Sequence, residues 1–322
     1  MKLHCIPILS ALFTSLVCFS NPATKISDNS PSSGIVIRWN DCEQTIDGFG
    51  IAQAGWAKEL FAFKNRKQVM DKMFGNDGLR LNILRGEIFP HYWENKEDKD
   101  FNLNDDINIE LCDSDFNNKS DDLLRRGQLW LTLEAKNKYH INKLVFSTWS
   151  APAWMKSNGK VSNGKLKPEC YQDFANYLAA FYKAYKSKGI TPYAISPSNE
   201  PGYAAPWNSS LWTADEMGKF ITSNLGPTFQ KENIPAKIIF GENPLWSVVM
   251  PQLKMVSSKD FTDTILQDYP EIKKFNLIAA GHGYSLSPDI MPIKVDKEYL
   301  KTPIIPFDAA EKAHIPVWIT EI

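Results

Sequence analysis

The stretch Tyr193-Ala194-Ile195-Ser196-Pro197-Ser198-Asn199-Glu200-Pro201 decides the reading of the whole chain. Its apolar start suits a short buried strand, and Pro201 cannot continue a sheet ladder because it has no N–H to donate. Glu200 is therefore expected at the carboxyl end of a strand, facing a loop. In a barrel of parallel strands that end carries the reactive groups. Val317-Trp318-Ile319-Thr320-Glu321 has the same form, a short apolar strand closed by a carboxylate. Two glutamates on two strand tips of one barrel can flank one bond, one as proton donor and the other as nucleophile or base.

Working outward, Leu79 to Leu84 reads as a strand buried on both faces and tipped by Arg85. Leu144-Val145-Phe146 is another, opening into the loop that carries Trp149. Lys237–Phe240 and Leu277–Ala280 follow, the latter ending Gly281-His282-Gly283-Tyr284. Between strands lie helical segments. Pro168 to Lys188 is the clearest, with Tyr171, Phe174, Leu178, Phe181 and Tyr185 on one stripe and Gly189 at its end. Thr213-Ala214-Asp215-Glu216 has capping-box spacing and predicts a helix running to Gly226. Thr45–Gly50 reads as a strand ending in glycines, and Gln53–Phe61 and Arg66–Phe74 as helical. Residues 90–122, acidic and asparagine-rich, read as a long surface loop, and residues 285–312 as another. Strand and helix alternate throughout, which predicts a parallel sheet. Strand tips near 50, 85, 149, 200, 241, 282 and 321 are expected.

Composition narrows the class. A net charge of −1 supplies no field for nucleic acid or an anionic membrane. Aromatic content of 12 %, with ten tryptophans, exceeds ordinary use. Most of those rings belong in a core, but Trp149, Trp154, Trp207 and Trp212 sit beside turn residues, where flat apolar faces suit sugar rings. The first residues, an apolar stretch from Cys5 to Phe19 after Lys2, form a secretory signal expected over 1–20 and cleaved near Ser20. Residues 21–34 follow as a polar linker. Without the signal, Cys42, Cys112 and Cys170 remain, too few for a disulfide scaffold and without zinc spacing; one bridge or free thiols both fit. No metal, cofactor or phosphate loop is indicated, since the histidines lack ligand spacing and no glycine-rich phosphate motif occurs.

Phe146-Ser147-Thr148-Trp149-Ser150-Ala151-Pro152-Ala153-Trp154-Met155-Lys156-Ser157-Asn158-Gly159 closely resembles the strand-3 loop of glycoside hydrolase family 30. Asp47-Gly48-Phe49-Gly50, Asn199-Glu200-Pro201, His282 with Tyr284, and Trp318-Ile319-Thr320-Glu321 fall in the family's order, so the resemblance covers residues 45–322. It implies an α/β fold, a (β/α)8 TIM barrel, here incomplete with about seven strands present. It also implies that residues 35–44 are a strand belonging to an incomplete β-sandwich, a remnant at the amino terminus. The expectation is a chain truncated at the carboxyl end, lacking the last β/α unit and inactive as written.

The resemblance further implies a retaining mechanism, with Glu200 as acid/base and Glu321 as nucleophile. Asn199 would bond the sugar 2-hydroxyl, Arg85 and Tyr284 would bond the nucleophile, Trp149 would floor the −1 subsite and His282 would line it. Trp207 and Trp212 are either loop anchors or aglycone platforms. The expected protein is secreted or periplasmic, monomeric, not inserted in a membrane once the signal is removed, and acts on a polysaccharide or glycoside. The expected substrate is a β-glycan, xylan-type or β-1,6-glucan or galactan. A glucosylceramidase-type hydrolase and a non-catalytic carbohydrate-binding protein are the alternatives.

Overall fold

The computed structural model describes residues 38, 40–41, 45–53, 56–93, 95–97, 127–247, 256–284 and 305–322. The chain forms two compact units, Met1–Ile46 and Asp47–Ile322. The expected signal, the linker and most of the sandwich strand lie outside the described residues. Arg38, which is described, is in no strand and pairs with Asp41 at 3.6 Å.

In the second unit seven parallel strands are described: β1 (Gly50–Ala52), β2 (Ile83–Glu87), β3 (Lys143–Ser147), β4 (Ala194–Ser196), β5 (Lys237–Gly241), β6 (Leu277–His282) and β7 (Val317–Glu321). They pair in chain order, each parallel to the next. Helices stand between them: α1 (Ala57–Ala62), α2 (Arg66–Phe74), α3 (Gln128–Tyr139), α4 (Tyr171–Ser187), α5 (Ala214–Phe220), α6 (Gly226–Lys231), α7 (Ser258–Asp268) and α8 (Asp308–Lys312). This is a nearly closed TIM-type barrel, whose first and last strands do not pair among the described residues. A polar clasp joins those edges near the amino ends of the strands. The Trp318 indole N–H on β7 donates to Asp47 Oδ2, just before β1, at 2.9 Å. Lys143 on β3 donates to the same aspartate, and the Trp318 ring stacks on Tyr193 with centroids 6.0 Å apart. The Trp318 bond holds the Asp47 carboxyl below its ordinary value, with Lys143 adding to it against partial burial.

Strand alternation divides the apolar residues between two layers. Val145, Ala194, Ile239, Ile278 and Ala280 form one buried cluster with Ile83, Tyr193 and Trp318, and this fills the barrel. Their strand neighbours Leu84, Leu144, Phe146, Ile195, Ile238, Phe240, Leu277 and Ala279 join the helices in a second, larger core. The stripe on α4 (Tyr171, Phe174, Leu178, Phe181, Tyr185) is buried there, as the spacing required.

Several boundaries differ from expectation. Gly50 begins β1, and residues 45–49 are outside any strand. The second strand starts at Ile83 and passes through Arg85. Leu79 is exposed, so an apolar run was mistaken for strand. Pro90–Trp93 is a short 3-10 helix with Tyr92 buried, so the expected loop over 90–122 starts with structure; 98–126 lie outside the described residues. Likewise α8 falls inside the second expected loop, of which 285–304 are outside the description. The capping box at Thr213 is present, but the helix does not stop at Gly226. It widens into a π turn at Ile221–Leu225, where the Gly226 N–H reaches back to the Ile221 carbonyl, and continues as α6. Pro227 has no N–H and would crowd the carbonyl four residues earlier, which a wider turn relieves. Gly226 is required for space: a Cβ there would lie 2.3 Å from the Phe275 ring.

Candidate active site

The residues that fill the barrel lead, by alternation, to polar side chains at the carboxyl ends of the same strands. Ile83 is followed inward by Arg85, Val145 by Ser147, Ala194 by Ser196, and Ala280 by His282. On β7 the alternation breaks. Gly281 pairs with Ile319 but His282 pairs with Glu321, so Thr320 is an extra residue. Trp318 faces inward, and strict alternation would turn Glu321 away; the bulge returns it to the barrel mouth.

Glu200 lies four residues beyond β4 and is placed by loop backbone. The Asn199 N–H donates to the Thr148 carbonyl at 2.7 Å and the Glu200 N–H to the Glu242 carbonyl at 3.0 Å. Both glutamates are left-handed, with φ of 48° and 42°. For non-glycine residues this costs on the order of 1–2 kcal/mol each, and such strain is held where the surroundings fix it. Gly241, just before Glu242, has φ of 105°, and a Cβ there would lie 2.2 Å from the Ala280 carbonyl oxygen, so only glycine lets β5 deliver Glu242 so close to β6.

Arg85 is the hub. Its Nη1 donates to Glu321 Oε2 at 2.7 Å, and its Nη2 to Asn199 Oδ1 at 2.7 Å and to Glu242 Oε1 at 3.2 Å. Its guanidinium lies over the Trp149 ring, 4.8 Å from the centroid. The Tyr284 hydroxyl donates to the other Glu321 oxygen, Oε1. His282 Nδ1 lies 3.1 Å from Glu200 Oε1, and its Nε2 lies 3.9 Å from Glu242 Oε1. Ser147 donates to Glu242 Oε2 at 2.9 Å. A carboxylate oxygen of Glu200, one of Glu321 and a ring nitrogen of His282 lie within 4.8 Å of one another.

Charge is balanced by these contacts. Burial opposes the Arg85 charge, but Glu242 and then Glu321 outweigh it and raise its pKa. Burial equally opposes the Glu242 charge, yet Arg85 and His282 hold that carboxyl well below the usual range. His282 is raised: burial lowers it, and the hydrogen bond to Glu200 and the Glu242 carboxylate nearby prevail despite repulsion from Arg85. The Tyr284 phenol is pushed well up, by burial first and then by its bond to Glu321. Glu200, His282 and Glu321 also have the donor atoms to meet one cation. Glu321, however, is already held by Arg85 and Tyr284, and a guanidinium beside it competes with any ion.

Of the residues singled out in the sequence, Glu200, Glu321, Asn199, Arg85, Trp149, His282 and Tyr284 converge on this one place. His282 does not line the cleft, being 0 % exposed and packed behind Glu200. Trp207 is 55 % exposed in the loop after Glu200, edge-on to Tyr203. Trp212 is no platform: it is buried against Tyr171, Phe174 and Phe220. The Trp154 indole N–H is spent on the Trp93 carbonyl. Cys170 is free and buried; Cys42 and Cys112 are outside the described residues. No helix among the described residues is long and apolar enough to cross a membrane.

Three residues escaped sequence reading. Glu242 was visible only as the end of a strand, although, like Glu200, it follows a strand and stands shortly before a proline, Pro244. Glu87, the last residue of β2, has a buried Oε1 without a partner; burial pushes its carboxyl up to about 8, against Arg85 and a bond from Asn208. Lys156 is wholly buried, and its ammonium donates to Ser150 Oγ at 3.2 Å and the Ser209 carbonyl at 2.7 Å. Burial brings its pKa down to about 8.

Comparison with known proteins places this architecture. Residues 46–274 match the sequence model of the Glycosyl hydrolase family 30 TIM-barrel domain. That span includes Arg85, Trp149, Asn199, Glu200 and Glu242; His282, Tyr284 and Glu321 lie beyond it. An endo-1,6-beta-D-glucanase of Neurospora crassa is 28 % identical over 237 residues, 68 % of this chain and 45 % of that protein. The lysosomal acid glucosylceramidase of Mus musculus is 30 % identical over 152 residues, 44 % of this chain and 27 % of its own. Among solved structures an endo-β1,6-glucanase superposes with a TM-score of 0.66 at 22 % identity, covering 88 % of this chain and 59 % of that one. The chain spans less than half the length of the curated relatives it matches. With the family match across most of its barrel, the chain belongs to glycosyl hydrolase family 30.

Proposed function

We propose that this protein is a retaining β-glycosidase, with Glu200 as acid/base and Glu321 as nucleophile. The observation that carries the reading is the approach of a Glu200 oxygen to a Glu321 oxygen, within 4.8 Å. Direct attack by a carboxylate on the anomeric carbon needs the pair about 5–5.5 Å apart, whereas a water between them needs about 6.5–9.5 Å. In the first step Glu321 attacks the anomeric carbon while Glu200 gives its proton to the departing oxygen. In the second, water loses a proton to Glu200 and displaces Glu321, regenerating both groups. Arg85 donates to one Glu321 oxygen and Tyr284 to the other, which fixes the carboxylate for attack. Arginine can only donate, so the Asn199 oxygen must face Arg85. Its amide NH2 is then the part left for a sugar hydroxyl.

The substrate in this reading is a β-glycan, xylan-type or β-1,6-linked, and the protein works outside the cytoplasm as a monomer after signal removal. Glu321→Gln is expected to abolish turnover. Glu200→Ala should lose ~10²–10⁴-fold on glycosides with poor leaving groups while still releasing dinitrophenol, which needs little protonation. Equal loss on both kinds of substrate refutes the acid assignment. Binding of glycans with no hydrolysis, unaffected by Glu321→Gln, would make the protein a carbohydrate-binding one. A glucosylceramide arm beside glucuronoxylan, β-1,6-glucan and β-1,6-galactan decides the substrate class.

A further inference from the structure

Glu242 is a fully buried carboxylate at the barrel mouth that the two-carboxylate scheme does not use. A buried carboxylate costs several kcal/mol to desolvate, so its partners reveal what keeps it there. One oxygen lies 3.2 Å from Arg85 Nη2 and 3.9 Å from His282 Nε2; the other accepts from Ser147. Its carbonyl accepts the Glu200 N–H, and its N–H donates to the Ala280 carbonyl. Glu242 thus hydrogen-bonds Arg85, which holds Glu321, and lies at ion-pair distance from His282 Nε2, a buried nitrogen with no hydrogen-bond partner whose ring faces Glu200.

We propose that Glu242 is a positioning residue for hydrolysis, fixing through His282 the hydrogen bond offered to Glu200 and through Arg85 the one offered to Glu321. The inference rests on the glycosidase reading above. The imidazole can meet Glu200 in three states, of which the neutral Nδ1–H tautomer also donates to Glu200 but turns the bare Nε2 lone pair toward the Glu242 carboxylate, leaving two to compare. As imidazolium, its Nδ1–H donates to Glu200 Oε1, and the transferable proton of Glu200 sits on Oε2. As the neutral Nε2–H tautomer, Nδ1 accepts, and the Glu200 proton is drawn onto Oε1, toward the histidine and away from the substrate. An anionic Glu242 favours the first arrangement. The groups facing His282 are Glu200 from the loop after β4, Glu242 after β5, Arg85 on β2, Glu321 on β7 and the Tyr284 ring, 5.9 Å away. Their balance raises the histidine despite its burial.

Glu242→Gln keeps the volume and an acceptor for Arg85 but removes the charge. Nitrogen-15 NMR of the His282 imidazole is expected to show both nitrogens protonated at pH 7 in the native protein and one in the variant. In the same variant kcat on poor-leaving-group glycosides should fall ~10–100-fold, with KM within about twofold and little loss on dinitrophenyl glycosides, and the pH optimum should move to lower pH. A neutral His282 in the native protein overturns the proposal without any variant having to fold. So does an unchanged imidazole in Glu242→Gln, or an equal loss on both leaving groups. The NMR result does not depend on turnover, so failure of the glycosidase reading, seen as an inert native protein, is distinguishable from failure of this one.

Discussion

Replacing Arg85 by methionine separates the electrostatic role of the hub from its volume. Arg85 has 5 % of its side chain exposed and Glu242 none, and they sit 3.2 Å apart. At an effective dielectric constant of 20 that separation corresponds to about 5 kcal/mol of attraction. Breaking a buried pair by removing one partner costs about 3–5 kcal/mol, because the other charge stays uncompensated. Against a typical total of about 5–15 kcal/mol, that is a large fraction. The loss should depend on pH. With Arg85 present the Glu242 pKa is depressed, so the pair contributes fully above the unfolded carboxyl value of about 4.3 and fades as pH falls through the folded value. Without Arg85, burial dominates and the Glu242 pKa rises above its unfolded value, so the variant suffers most when the group must be ionised. Urea unfolding at pH 8 should show Arg85→Met destabilised by about 3–5 kcal/mol, and at pH 5 by clearly less. An equal loss at both values, or one below about 1 kcal/mol at pH 8, refutes the pairing argument.

Two further predictions concern the buried groups beside the site. Lys156 is brought down to about 8 from 10.5, so the unfolded chain binds more protons between those values and stability must rise with pH across that window, by on the order of 3 kcal/mol. Lys156→Met should lack that rise; a native protein whose unfolding free energy is flat from pH 8 to 10.5 contradicts it. Glu87 is pushed up from 4.5 to about 8, so the folded state binds the extra proton and stability falls as pH climbs through that interval. Glu87→Gln should match the native protein near pH 4.5 and exceed its stability at pH 8.5, measured by thermal unfolding; no gain at the higher pH contradicts the burial argument.

Glu321 was legible because it ends a strand, and Glu200 because a proline closes the short loop that follows one. Apolar runs closed by a proline or by the last carboxylate give a strand and its tip directly. The clearest helix was legible for a similar reason, since its aromatic stripe repeats at the helical period. What sequence could not supply was the reversal of alternation at Thr320, since the extra residue on β7 is defined only by its partner strand. Alternation alone would have turned Glu321 away from Arg85. Glu242 was missed because its contacts are with residues of β2, β3 and β6, all remote in the chain. His282 was placed in the right neighbourhood but on the wrong side of Glu200, because a motif gives a loop's position and not the depth of a side chain. Trp212 fell into the core since a ring beside a turn packs either way, and Phe174 and Phe220 decide it.

The measurement that tests the account most directly is the configuration of the first product. Proton NMR can follow the anomeric signal as the protein acts on a soluble oligosaccharide of whichever β-glycan it cleaves, before mutarotation mixes the forms. Glu200 and Glu321 with oxygens within 4.8 Å predict that the β anomer appears first, through a glycosyl bond to Glu321. The α anomer appearing first would mean a single displacement by water, and would contradict the assignment of Glu321 as nucleophile.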